Sequence, residues 1–137
     1  MENLPSIHAS GGNTGARWAD PDYIADKYRY EPEKGDIWIG RNPHHFEAAI
    51  GYRDERHIMV CAGAGSGKGR SFIVNNLARY PGSTVTYDPK GELPYILTPR
   101  RGDGNEFCEG LGQKVFVLDP LKRSGVDEKY LGYCDPL

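Results

Sequence analysis

Apolar residues in this chain fall into short runs parted by glycine, proline and aspartate. The run His57-Ile58-Met59-Val60-Cys61-Ala62 is long enough for a strand buried on both faces. Phe72, Ile73, Leu77 and Tyr80 follow near helical spacing, and Pro81-Gly82 predicts the stop. Ser83-Thr84-Val85-Thr86-Tyr87 is β-rich and ends at Asp88-Pro89. A broken helical piece is predicted from about Glu92 to Leu97, then a loop over residues 99–104. Val115-Phe116-Val117-Leu118 is a further apolar run, stopped by Asp119-Pro120. Strand, helix, strand, partial helix and strand in that order predict a parallel α/β sheet.

The first part of the chain is patterned differently. Residues 1–16 hold Pro5, Ser10, Gly11, Gly12 and Gly15 with few large apolar residues, and read as a flexible arm. Residues 17–56 read as an N-terminal extension. In it, Asp20 is placed to cap a helix with Pro21 at its first position, running to about Tyr28. Pro32 and Gly35 end that segment. Ile37-Trp38-Ile39-Gly40 predicts a short strand, and Asn42-Pro43 a turn. His44 and His45 follow the turn as neighbours with no third ligand type nearby, which favours a solvated loop over a metal site.

Composition narrows the classes. The chain has 137 residues with 18 glycines and 10 prolines, but no triplet period, so a collagen-like fibre is excluded. Lys+Arg 17 against Asp+Glu 19 gives a net charge of −2, which excludes coating nucleic acid by bulk charge but leaves a local basic patch open. No stretch approaches the roughly 20 apolar residues of a spanning helix, and the start carries no secretory pattern, so a cytoplasmic location is expected for this chain. Cys61, Cys108 and Cys134 are far apart with no C-x-x-C, so they are expected to be bystander thiols in a reducing compartment.

The chemistry concentrates in Ala62-Gly63-Ala64-Gly65-Ser66-Gly67-Lys68-Gly69, between a predicted strand and a predicted helix. Glycines there let successive backbone N–H groups face an anion without a side chain in the way. The helix start adds unpaired N–H groups and a partial positive charge. Lys68 is the catalytic candidate, a point charge for the outer phosphates. The pattern is a P-loop with alanine at its first position and Gly69 where Ser or Thr would ligate Mg²⁺. Ser71 is two residues further on, about 200° around a helix, and is not an obvious substitute. Arg70 reads equally well as added charge near phosphate or as a solvated residue. The dinucleotide pattern G-x-G-x-x-G fails in both frames, at Lys68 and at Arg70.

Further stretches narrow the reading. Asp88-Pro89-Lys90-Gly91-Glu92-Leu93 and Gly112-Gln113-Lys114-Val115-Phe116-Val117-Leu118-Asp119-Pro120 follow the P-loop, and Gly15-Ala16-Arg17-Trp18-Ala19 and Trp38-Ile39-Gly40-Arg41 precede it. Together they resemble the type IV secretion coupling proteins, the conjugative DNA-transfer ATPases of the TraG/TraD kind, related to the FtsK/HerA motors. Gly69 then looks like a habit of that family. The resemblance implies a partial RecA-like P-loop NTPase fold with parallel strands, incomplete over residues 57–137, behind the N-terminal extension. It implies ATP and Mg²⁺ as cofactors. It places the phosphates on Gly63, Ala64, Gly65, Ser66, Gly67, Lys68, Gly69 and Arg70, with Asp88, Lys90 and Glu92 as a second motif. It implies a homo-oligomer, a hexameric ring, that passes relaxase-bound DNA or protein substrates to secretion channel components.

Relatives of that kind are several hundred residues long and anchored in the inner membrane. No second apolar run ending in Asp-Glu follows the P-loop, so the carboxylates that position Mg²⁺ and water are not expected in this chain. The chain reads as the front part of such a motor, binding nucleotide weakly and hydrolysing it poorly by itself. Two other readings stay open: a non-catalytic protein that modulates such a ring, or an unrelated small P-loop nucleotide-binding protein. Arg100, Arg101, Lys122 and Arg123 are basic pairs on predicted loops, where solvated charge is favoured over DNA contact.

Overall fold

The computed structural model describes residues 19–133. The predicted arm, most of the Gly15–Ala19 motif and Cys134 lie outside the described residues. Helix α1 covers Pro21–Lys27, with the Asp20 carboxylate accepting from the N–H groups of Asp22 at 2.9 Å and Tyr23 at 3.2 Å. Proline at its first position loses no helical hydrogen bond, so the predicted start holds. Strand β1, Ile37–Arg41, pairs antiparallel with β2, Ala49–Tyr52, and a register shift between Trp38 and Gly40 leaves Ile39 bulged. Asn42 closes the turn between them. Its side chain accepts from His44 and His45 N–H and donates to the Pro21 carbonyl at 2.7 Å, which ties α1 to the hairpin.

The second half departs from the predicted sheet. Residues 57–62 and 83–87 carry no ladder pairing, and 115–118 contributes a single parallel bridge from Val117 to Leu131. The sheets among the described residues are β1–β2 and a short antiparallel hairpin of β3, Gly104–Asn105, with β4, Cys108–Glu109. The fold is mixed α and β with small antiparallel sheets. The physical reason is that an apolar run encodes a wish for burial but not a ladder partner. Met59, Val85 and Tyr87 are 80%, 104% and 91% exposed. A parallel strand needs neighbours at its edges and helices on its faces.

The predicted helix after the P-loop forms in two parts. Lys68–Ile73 is wound with i→i+5 bonds, and α2, Val74–Arg79, continues it regularly. Helix α3 spans Glu92–Arg101, longer than the broken piece predicted, and includes Pro94, Pro99, Arg100 and Arg101. Pro94 is in the first turn, where an N–H has no helical partner anyway. The expected loop over 99–104 therefore begins only at Gly102.

Packing is held by polar clamps around a small apolar centre. Leu97, on α3, is the buried large apolar side chain among the described residues. Asn76 and Arg101 are also buried, where α2 meets β1 and α3. Asn76 Oδ1 accepts from Trp38 N–H at 2.6 Å, and its Nδ2 donates to the Trp38 carbonyl at 3.0 Å. Arg101 donates to the carbonyls of Leu77, Tyr80 and Gly82 and to the Gln113 side chain, capping the end of α2.

Candidate functional site

The glycine loop is built as an exposed crossing from residue 62 into the helical turn at Lys68. Gly65 at φ +74° and Gly67 at φ +84° are in the left-handed region, where a side chain is strained. Nothing lies within 4 Å of where a Cβ would stand on Gly63, Gly65 or Gly69. The space an anion needs beside the backbone is therefore open. Ser66 N–H reaches back to the Gly63 carbonyl at 3.3 Å, which closes a turn.

Lys68 folds onto its own loop. Its ammonium donates to the carbonyls of Ala62 at 2.5 Å and Gly63 at 2.8 Å. Two carbonyls at the loop's mouth thus hold the position of the charge. Arg70 is exposed on the following turn and makes no side-chain hydrogen bond or ion pair among the described residues.

The Gly69 position is legible in atoms. It supplies no hydroxyl, and Ser71 Oγ donates to the Gly67 carbonyl at 2.7 Å. Its hydroxyl is one turn back on the loop, engaged with backbone. No group of three or more His, Cys, Asp or Glu side chains among the described residues is arranged to hold a metal ion. The loop's own side chains therefore do not fit a Mg²⁺ ligand set, whereas its glycines fit a phosphate.

The second motif is a local cap. The Asp88 carboxylate accepts from Lys90 N–H at 3.1 Å and Leu93 N–H at 2.8 Å, at the start of α3. Burial pushes its carboxyl up, but the backbone N–H groups of Leu93, Lys90, Gly91 and Glu92 outweigh that and hold its pKa below the ordinary aspartate value. Lys90 and Glu92 are exposed on either side of Gly91. No hydrogen bond or ion pair among the described residues joins residues 62–70 to residues 88–92. Asp119 repeats the device: the adjacent Ser124 hydroxyl and the backbone N–H groups of Ser124 and Arg123 lower its pKa to about 2.

Two groups were not anticipated. Arg100 and Arg101 are helix residues rather than solvated loop charge, and Arg101 is only 8% exposed. Arg100 donates to the Ala78 carbonyl at 2.9 Å and the Glu109 carbonyl at 2.7 Å. A double arginine following a proline carries no sequence signal that separates such a clamp from a surface pair. Asn76 is the other. An asparagine inside a predicted helix signals a polar contact, but not with which strand. Of the histidines, His45 pairs through Nε2 with Asp22 Oδ1 at 2.5 Å.

Residues 14–130 match a family model described as Type IV secretory system Conjugative DNA transfer. Among curated proteins, the chain is 30% identical over 111 residues to Protein VirD4 of Agrobacterium fabrum (strain C58). It is 31% identical over 111 residues to Protein VirD4 of Rhizobium radiobacter. Each alignment covers 77% of this chain and 15% of the relative, so the chain spans a small part of their length. No solved structure matches it.

Proposed function

The chain belongs to the type IV secretory conjugative DNA-transfer family, and on that premise we propose that it is the nucleotide-facing front of a coupling ATPase. Its role in that reading is to hold ATP on Gly63, Ala64, Gly65, Ser66, Gly67, Lys68, Gly69 and Arg70. The observation that carries it is the loop itself: left-handed Gly65 and Gly67, open space beside the glycines, and Lys68 at the start of the helix. Backbone N–H groups of the loop and the first helical turn bind the phosphates. Lys68 leaves the Ala62 and Gly63 carbonyls and neutralises the outer phosphates. ATP supplies the free energy of phosphoryl release when bound. A Mg²⁺ ion, in this reading, is held by the phosphates, by water and by residues outside the loop.

The same reading covers the exposed apolar runs. Residues 57–62, 83–87 and 115–118 pair as parallel strands of a RecA-like sheet in the working protein. Ladder formation would bury Met59, Val85, Tyr87 and Phe116, which now face solvent. Asp88 and Asp119 then stand at the carboxyl ends of two of these strands, where ligands bind in open α/β sheets. The working protein is a homo-oligomeric ring, a hexamer by the resemblance, that acts at the cytoplasmic face. It moves relaxase-bound DNA or protein substrates toward the secretion channel. No helix among the described residues is long and apolar enough to cross a membrane.

The test is calorimetric titration of ATP into the wild-type chain and into Lys68→Ala. Binding by the wild type that is lost or weakened at least tenfold in the variant supports the cradle. Equal binding by both, or none by the wild type, removes it.

A further inference from the structure

Helix α3 presents unlike surfaces at its two ends. At its start, a Cβ on Gly91 would stand 3.4 Å from the Arg123 backbone, so the loops after Asp88 and Asp119 abut. Both aspartates turn onto backbone N–H groups of their own loops. Outward, this end shows Lys90, Lys122 and Arg123 around Leu121, which is 67% exposed, with Glu92 exposed nearby. Lys122 is at φ +52°, a left-handed residue with a side chain, so the loop holds one shape at some strain.

The other end carries the β3–β4 hairpin. Gly104 is at φ +85°, and a Cβ there would stand 2.6 Å from the Cys108 carbonyl oxygen. A Cβ on Gly110 would overlap the Gly102 carbonyl. Asn105 Oδ1 accepts from the N–H groups of Phe107 at 2.9 Å and Cys108 at 3.0 Å. Arg100 holds the Glu109 carbonyl, and Leu111 N–H donates to the Arg100 carbonyl at 2.8 Å. This tightly fixed tip lifts Phe107 into solvent, 85% exposed, with Asp103, Glu106 and Glu109 exposed around it.

The ends cannot meet within one copy, because ten helical residues set them about 15 Å apart. Neither charge set gains from the macrodipole of α3, since the cations stand at its positive end and the carboxylates beyond its negative end. One surface is a mainly acidic knob with an aromatic tip, Glu106 and Glu109 standing free of the cation Lys129 that neighbours Asp103. The other is a basic loop with an apolar centre. Both are already fixed in shape, which keeps the entropic cost of docking low.

We propose that the Phe107 hairpin of one copy docks on the Leu121–Arg123 loop of the next. Glu106 and Glu109 pair with Lys122 and Arg123 there, and Phe107 covers Leu121. The contact is head to tail, the kind that closes into a ring when its rotation allows. It rests on the oligomeric part of the function proposed above and names the surfaces that make it.

The experiment uses the full chain with its three cysteines changed to serine, carrying either Phe107→Cys or Leu121→Cys. Oxidation of the mixture should give a disulfide dimer, and either variant alone should give little. In sedimentation equilibrium, E106K/E109K should weaken self-association on the order of tenfold, as a few exposed ion pairs allow. Adding K122E/R123E to the same chain should restore it. A wild-type chain that self-associates but shows neither effect overturns this contact and leaves the ring reading standing. A chain that stays monomeric at high concentration overturns both. K122E/R123E losing affinity for a DNA oligonucleotide while self-association is untouched also overturns it, and marks the loop as a nucleic-acid surface.

Discussion

Asn76 replaces a missing strand partner for Trp38. Its side-chain amide receives the Trp38 N–H at 2.6 Å and gives to the Trp38 carbonyl at 3.0 Å, as a neighbouring backbone would. A second proton on Nδ2 reaches the Phe72 carbonyl at 3.0 Å, so both amide protons and the oxygen are engaged within a site that is 8% exposed. This contact fixes the helix that follows the glycine loop against the β1–β2 hairpin. It also places the outer edge of β1, just before the bulge at Ile39, under a side chain rather than a strand.

Asn76→Ala should therefore destabilise the chain by about 1–3 kcal/mol, because it strands both Trp38 groups in a part-buried place. Asn76→Asp should do at least as badly, since a carboxylate cannot donate to the Trp38 carbonyl. Urea denaturation followed by Trp fluorescence reads both. Stability equal to wild type in either variant would show that the bidentate contact contributes nothing.

Arg101 does for the end of α2 what Asn76 does for its side. Its planar fork satisfies three carbonyls, of Leu77, Tyr80 and Gly82, without a carboxylate partner. Desolvation lowers its pKa, yet the group stays charged at any ordinary pH. Arg101→Lys keeps the charge but cannot reach all these acceptors, and should still cost roughly 1–3 kcal/mol. Hydrogen exchange at residues 102–113 should speed up in the variant, because Gly112 and Gln113 bond to the carbonyls of Gly102 and Arg101. Unchanged exchange there would separate the arginine from the hairpin.

What the sequence made legible follows from the range of each signal. The capped start of α1, the β1 segment and the stop before Pro81 depend on residues within a few positions of one another, and they form as predicted. Local chemistry also gave the glycine loop, because left-handed Gly65 and Gly67 need no distant partner. The three apolar runs depend on neighbours that a run of Val and Ile does not specify, and they stand without ladders. Asn76, Arg100 and Arg101 each make contacts that reach across 19 to 38 residues. Their side-chain types are equally at home in solvent, so pattern alone could not assign them.

Asp119 gives a titration that can be checked directly. Its folded pKa of about 2 lies below the roughly 3.9 of an unfolded aspartate. A depressed carboxylate adds stability above the unfolded value, and that part is lost as pH falls from about 4 toward 2. Asp119→Asn should flatten the acid limb of the stability curve in that window. At neutral pH it should lose the stability that the depressed carboxylate contributes there, together with its cap to the Arg123 and Ser124 N–H groups. A carboxyl carbon titration in the wild type should show a midpoint near 2, and a midpoint near 4 would mean that the Ser124 and Arg123 contacts are not formed in solution.

Lys68 links the structure of its loop to the proposed ligand. Its ammonium ties the Ala62 and Gly63 carbonyls, which makes the lysine a brace of the loop. Two such bonds on an exposed loop contribute on the order of 1–2 kcal/mol, a factor of roughly 5–30 in local opening. Lys68→Ala should therefore raise amide exchange across residues 63–69 by about that factor before any nucleotide is added. Nucleotide should then protect the loop in the wild type and fail to do so in the variant. The two readings are independent: a loop equally open in both proteins removes the brace, and a wild-type loop that ATP does not protect removes the cradle. Lys68→Arg sharpens the distinction, because a guanidinium can still donate to the two carbonyls but replaces the compact point charge that the outer phosphates require. The expected result is a braced loop with weakened nucleotide protection.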